Sequence, residues 1–394
     1  MTGFAVTNRR HARGAAGQLR SRQRRGQRIA LLLMLFCALA CSTAKAQQVV
    51  KIGVIGPLTG TGSAMGESQL TGAEMRAREI NAAGKLKIEL LAEDDASKCD
   101  QSANAAVKLI TQQQVTAVIG AVNSPCALAL VPLTKRYKVP QFTIGVGTAI
   151  TQQGSDWIFR MAVAAPGQTK ALADYAINVL KLTKIAMIYS DDEYGASMAA
   201  GFEAALTSLN VPLLAAETYP RGDQDFTGQL TKVRESGATA LYTTGAFTSS
   251  ALIARQAKQL GMEFQLLGDS ANSVPRYIEL GGEAVEGAVM VEPFSPSDPD
   301  PKIQDFGAKY RDHYKRDVDG WVAAMYDTVG MIEAAVAKTG KTDPASIREY
   351  LAGLSAQRPY EGILGAWYFD KMGDANFPLY KVQIRNGKTV ILAH

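Results

Sequence analysis

The chain has 394 residues, 47% of them hydrophobic and 20% charged, with a formal net charge of +5. That length exceeds what one hydrophobic core usually serves, so two domains are the default. The positive charge is no argument for nucleic-acid or anionic-membrane binding: nine cations and no acid lie in residues 1–46, and without them 33 cations face 37 acids, a net charge of −4.

In that basic segment the apolar stretch 29–40 is twelve residues long, too short to span a bilayer as a stable helix. Ala44-Lys45-Ala46 before Gln47 has the small-x-small form of a signal peptidase site, so an export signal over 1–46, cleaved after Ala46, is the first expectation. Two other routes stay open. Ala38-Leu39-Ala40-Cys41 has the form of a lipobox with its leucine one place off, which would tether the chain by lipid at Cys41, and Arg24-Arg25 is a weaker twin-arginine feature. The long basic presequence also leaves open whether Met1 is the true start.

The mature chain opens with the β-branched run Val49, Ile52, Val54 and Ile55, a loop over 56–66, and a helix whose apolar residues Leu70, Ala73, Ala77 and Ile80 recur at helical spacing. Further strands read at 85–92, 116–120, 139–144, 184–190, 213–218, 240–244, 264–268 and 287–292, with helices filling most of the gaps. Such alternation predicts parallel sheets in an α/β fold. A short strand at 157–159 marks a crossing to a second lobe. The prolines Pro293, Pro296, Pro299 and Pro301 mark a return, followed by helices near 303–314, 321–338 and 344–354 and strands at 367–370 and 379–385. The expected division is therefore 47–165 for the first part of lobe 1, 166–294 for the first part of lobe 2, 295–368 for the return to lobe 1, and 369–394 for a final crossing and the end of lobe 2. Two lobes joined by several crossings form a hinge around a cleft.

After cleavage two cysteines remain, Cys99 and Cys126. In an oxidising compartment the pair is most simply a disulfide, with two buried free thiols as the alternative. Without nearby histidines they do not make a zinc site.

The segments IGVIGPLTG at 52–60, MGESQLTGAEMRAREINAAG at 65–84, EDDASKCD at 93–100, VIGAVNSPCALALVPL at 118–133, YSDDEYGASMAAGF at 189–202 and GGEAVEGAVMVEPF at 281–294 occur in one order. In that order the chain resembles the periplasmic branched-chain amino-acid-binding proteins of ABC transporters over residues 48–392. The resemblance implies the type I periplasmic-binding fold, two Rossmann-like lobes joined by three crossings. It also implies a periplasmic, monomeric receptor that hands a small solute to a membrane permease without catalysis or cofactor.

Carried over residue by residue, it implies a ligand wall at Met65, a carboxylate contact at Ser124, and a second clamp at the Gly147 amide and Thr148. In lobe 2 it implies Tyr194, and Ala246 or Phe247 where the family often has a tyrosine; Trp321 aligns with another aromatic lining position. The position that recognises an amino group falls on Asp269 or Ser270. An inward Asp269 would mean an α-amino acid, since an unpaired buried ammonium is costly. If only Ser270 and Asn272 face inward, a neutral amide or an acid without an amine is expected.

An enzyme reading fails on its parts. The glycines Gly60, Gly62 and Gly66 are misspaced for a dinucleotide loop, and no GxSxG, HExxH or Walker A sequence is present. A ligand sensor acting through a membrane partner is the remaining alternative.

Overall fold

Val50, Ile52, Val54 and Ile55 are at most 1% exposed in strand β1 (Gln48–Gly56). A strand covered on both faces needs apolar residues in succession, and this run supplies them. The computed structural model describes residues 47–60 and 62–393; the export-signal, twin-arginine and Cys41 readings lie outside the described residues. Strand β1 pairs in parallel with β2 (Leu86–Asp94) and β3 (Ala117–Ile119), and β4 (Gln141–Thr143) and β5 (Ile158–Arg160) extend the sheet in the order β2-β1-β3-β4-β5.

A second sheet takes β6 (Ile185–Ser190), β7 (Leu213–Tyr219), β8 (Ala240–Thr244), β9 (Gln265–Gly268) and β10 (Val289–Glu292), all parallel. Beyond a small hairpin of β11 (Tyr360–Gly362) and β12 (Gly365–Trp367), strands β13 (Tyr380–Arg385) and β14 (Lys388–Ala393) join it antiparallel, giving β14-β13-β10-β9-β8-β6-β7. The architecture is the expected α/β fold with two lobes.

Between β10 and β13 the chain goes back to the first sheet. Helix Gly320–Thr339 is apolar on nearly every face and buried along most of its length, as a helix without a solvent side must be. It lies so close to helix Ser63–Ala83 that a Cβ on Gly72 would come within 2.3 Å of the Val322 carbonyl oxygen. Ser68 Oγ also donates to Asp319 Oδ2 at 2.6 Å, while Asp319 caps the returning helix through the N–H groups of Trp321 and Val322. The segment after β12 is fastened at Arg160. Its fully buried guanidinium donates from Nε to Asp374 Oδ1 at 2.7 Å, and its backbone N–H donates to the Gly373 carbonyl at 2.7 Å.

Three details differ from the sequence reading, the first being strand β11, which was not expected. The strand expected at 367–370 stops at Trp367, because Asp370 turns the chain by accepting the N–H groups of Met372 and Asp374, leaving only an isolated Phe369–Ala375 bridge. Strand β14 was not anticipated. Its signal is Asn386-Gly387, which takes φ of 52° and 69° at the tip of the β13–β14 hairpin.

Cys99 and Cys126 form a disulfide across a separation of 27 residues, tying the start of helix Cys99–Thr111 to the first turn of helix Ser124–Tyr137. Replacing both by serine should cost about 3 kcal/mol of unfolding free energy by the loop-entropy relation, read from urea denaturation under oxidising conditions. Strand β10 ends in Glu292, whose carboxyl is pushed up to about 8, chiefly by burial. With a folded value above the unfolded one, its contribution is fully present below the ordinary glutamate range and is lost as pH rises toward about 8. Glu292→Gln should therefore flatten the stability profile between pH 5 and 8 by up to about 1.4 kcal/mol per pH unit, raising the melting temperature at pH 8 more than at pH 5.

Candidate ligand-binding site

Parallel strands bring all their carboxyl ends, and the amino ends of the helices that follow, to one side of a sheet. Here the two sheets present those sides to a common cavity. From the first lobe come Gly62 and Met65 at the start of helix Ser63–Ala83, Val122, Asn123 and Ser124 after β3, and Ile144, Gly145 and Val146 after β4. From the second come Tyr194 after β6, Arg221 after β7, Gly245, Ala246 and Phe247 after β8, and Ala271 after β9. Trp321, opening the returning helix, completes the wall with Ser97.

The wall is mainly apolar, and its polar groups are mostly donors. Helices Ser63–Ala83, Ser124–Tyr137 and Phe247–Gln259 all begin here, and their N-cap residues Gly62, Asn123 and Ala246 make no side-chain capping bond. Their first-turn N–H groups and dipoles favour negative charge. Ser124, 1% exposed, accepts the Gly147 N–H at 3.1 Å, which leaves its own hydroxyl proton to donate elsewhere. The indole Nε1 of buried Trp321 has no acceptor among the described residues. Among the described residues, Arg221 is the one cationic side chain in the lining, and no aspartate or glutamate belongs to it. Its guanidinium is held by Asp192, accepting from Nε at 2.7 Å. Burial works against the Asp192 charge, but Arg221 and the Gly195 N–H keep that carboxyl below its ordinary range.

Asp269 lies behind the wall rather than in it. Fully buried, it accepts from Tyr194 Oη at 2.7 Å, Tyr242 Oη at 3.0 Å and the Ala271 N–H at 3.0 Å. Burial raises its carboxyl above the ordinary range, against the opposing pull of these hydrogen bonds. Tyr194 lines the cavity, and its hydroxyl is spent on Asp269.

Of the residues singled out by sequence, the structure brings Met65, Ser124, Tyr194, Phe247 and Trp321 to this cavity. Asp269 and Ser270 are buried beside it without lining it, and Ala271 takes the place at the wall. Gly147 sits behind Ser124, and Thr148 opens onto a separate surface depression shared with Ser197 and Glu193. Sequence reasoning missed Arg221 and Ser97. Arg221 stands two residues after β7, and the rule that ligands meet the carboxyl ends of strands could have found it.

The sequence model of the periplasmic binding protein family matches residues 49–389. An amino acid binding protein of Pseudomonas aeruginosa is 29% identical over 364 residues, covering 89% of this chain and 94% of that one. A leucine binding protein of Thermotoga maritima, known by crystal structure, superposes with a TM-score of 0.80 at 30% identity over 87% of this chain and 98% of its own. A solute binding protein of an ABC transporter from R. palustris, crystallised with benzoate, gives a TM-score of 0.79 at 21% identity over 88% and 96% of the two chains, a likeness of fold alone.

Ser124→Ala should weaken binding of a carboxylate solute roughly tenfold or more, the range for a hydrogen bond to a charged group. Calorimetry and a melting curve should show the affinity falling while the melting temperature moves little; unchanged affinity would remove Ser124 from the site.

Proposed function

Because this chain belongs to the periplasmic binding protein family, we propose that it is an extracytoplasmic receptor of an ABC importer whose solute is a small carboxylate with an apolar body, held between the two lobes. As its family is, the chain is a binding protein and not an enzyme. One observation carries the choice of solute: a cavity at the carboxyl ends of both sheets whose charged lining, among the described residues, is a lone arginine, and onto which three helices open without a side-chain cap. The solute carboxylate meets Ser124 and the first turn of its helix, while Met65, Phe247 and Trp321 cover the apolar part. Tyr194 closes over it from the second lobe. Export by the segment 1–46, action as a monomer and delivery to a membrane permease complete the reading.

A second reading, an α-amino acid, has the support of the names of the relatives. Its ammonium would need a carboxylate within a few ångströms. The acid for that role, Asp269, is already occupied by Tyr194 and Tyr242, and this favours an acid without an amine.

A thermal-shift panel separates the two readings, because a ligand that binds only the folded state raises its apparent stability. Matched pairs such as 4-methylpentanoate with leucine, and benzoate with phenylalanine, keep the body and change only the amine. Stabilisation by the amine-free member of a pair is the expected result. Stabilisation by the amino acids alone would transfer the site to the second reading, and none by any carboxylate would end both.

A further inference from the structure

Residues 147–149 of the first lobe present three successive backbone N–H groups to three different acceptors. Gly147 donates to Ser124 Oγ within its own lobe at 3.1 Å. Thr148 donates to Ser197 Oγ at 3.0 Å and Ala149 to Glu193 Oε1 at 3.3 Å, both on helix Glu193–Ser208 of the second lobe. Ser197 Oγ in turn donates to Glu193 Oε1 at 3.1 Å, so the two side chains act as one unit.

Gly147 shows that this contact is built in. Its φ of −56° and ψ of 133° suit any residue, so backbone conformation does not demand glycine there. Space does: an added Cβ would fall 1.6 Å from Glu193 Oε2. The residue facing Glu193 across the lobe boundary is the one residue type that leaves the carboxylate its place.

We propose that Glu193 and Ser197 form a latch that fastens the second lobe onto segment 147–149 and sets the balance between open and closed lobes. Glu193 is a positioning residue and lies outside the cavity lining. Its bonds exist only while the lobes are together, so they stabilise the closed form differentially, as any agent that shifts a two-state balance must. Because the same segment holds Ser124 through Gly147, the latch also reports on the solute contact; that link, though not the latch itself, rests on the carboxylate-receptor reading.

The test needs no solute. Small-angle X-ray scattering of the unliganded chain from Gln47 onward gives the radius of gyration for wild type, Glu193→Ala, Gly147→Ala and the double variant, with circular dichroism and melting curves as the folding check. Glu193→Ala and Gly147→Ala should each enlarge the radius, lowering the closed-to-open ratio roughly tenfold, the range for a hydrogen bond to a charged acceptor. The double variant should be no more open than either single one, since both remove the same contact. Glu193→Gln, which keeps the Oε1 acceptor, should stay near wild type. Additive opening in the double variant, or a radius unchanged by Glu193→Ala, would overturn the latch. Should Gly147→Ala fail to fold, the contrast between Glu193→Ala and Glu193→Gln decides alone. Loss of the latch would leave the solute reading standing, and failure of the carboxylate panel would leave the latch standing.

Discussion

Parallel pairing is the constraint on which the molecule rests. Once β1, β3 and β4 run side by side in one sheet and β6, β7, β8 and β9 in the other, each strand must deliver its chain to a helix at the same end. The result is two faces dense in helix starts. Three of the helices that open onto the cavity begin without a side-chain cap, whereas Asp192 and Asp319 cap the helices that bring Tyr194 and Trp321 to it. The disulfide lies under the same arrangement, holding the turn that bears Ser124 two residues from Cys126.

Much of this could be read from the sequence because it depends on local pattern. The β-branched run of β1, the helical spacing from Leu70 to Ile80, and the alternation through Glu292 gave the α/β fold. The hairpin of β13 and β14 was also written there, in Asn386-Gly387, and was passed over. Side-chain direction at the site was a different matter. Whether Asp269 or its neighbours face the cavity depends on Tyr242, which lies 27 positions away in sequence and supplies a competing donor. The Thr148 backbone N–H likewise goes to Ser197, 49 positions on, a partner no local pattern announces. Arg221 escaped notice because a lone arginine in a loop carries no periodicity.

The burial of Asp269 also separates two uses of a carboxylate. Set in a cleft wall, it would select an ammonium. Set behind Tyr194 and Tyr242, it fixes both phenols, so Tyr194 offers the cavity an aromatic surface in place of a carboxylate. The apolar wall and its donors then suit a solute with one anionic end and an apolar remainder, and the 2% exposed Trp321 adds an indole N–H on the returning helix.

The most direct measurement is a crystal structure of the chain from Gln47 onward, grown with the carboxylate that most raises its melting temperature. The account predicts density for an intact solute with its carboxylate against Ser124 and the start of helix Ser124–Tyr137, and its body between Met65, Phe247 and Trp321. A solute bound outside this cavity, or one with an ammonium seated directly on Asp269 after Tyr194 has moved away, would contradict it.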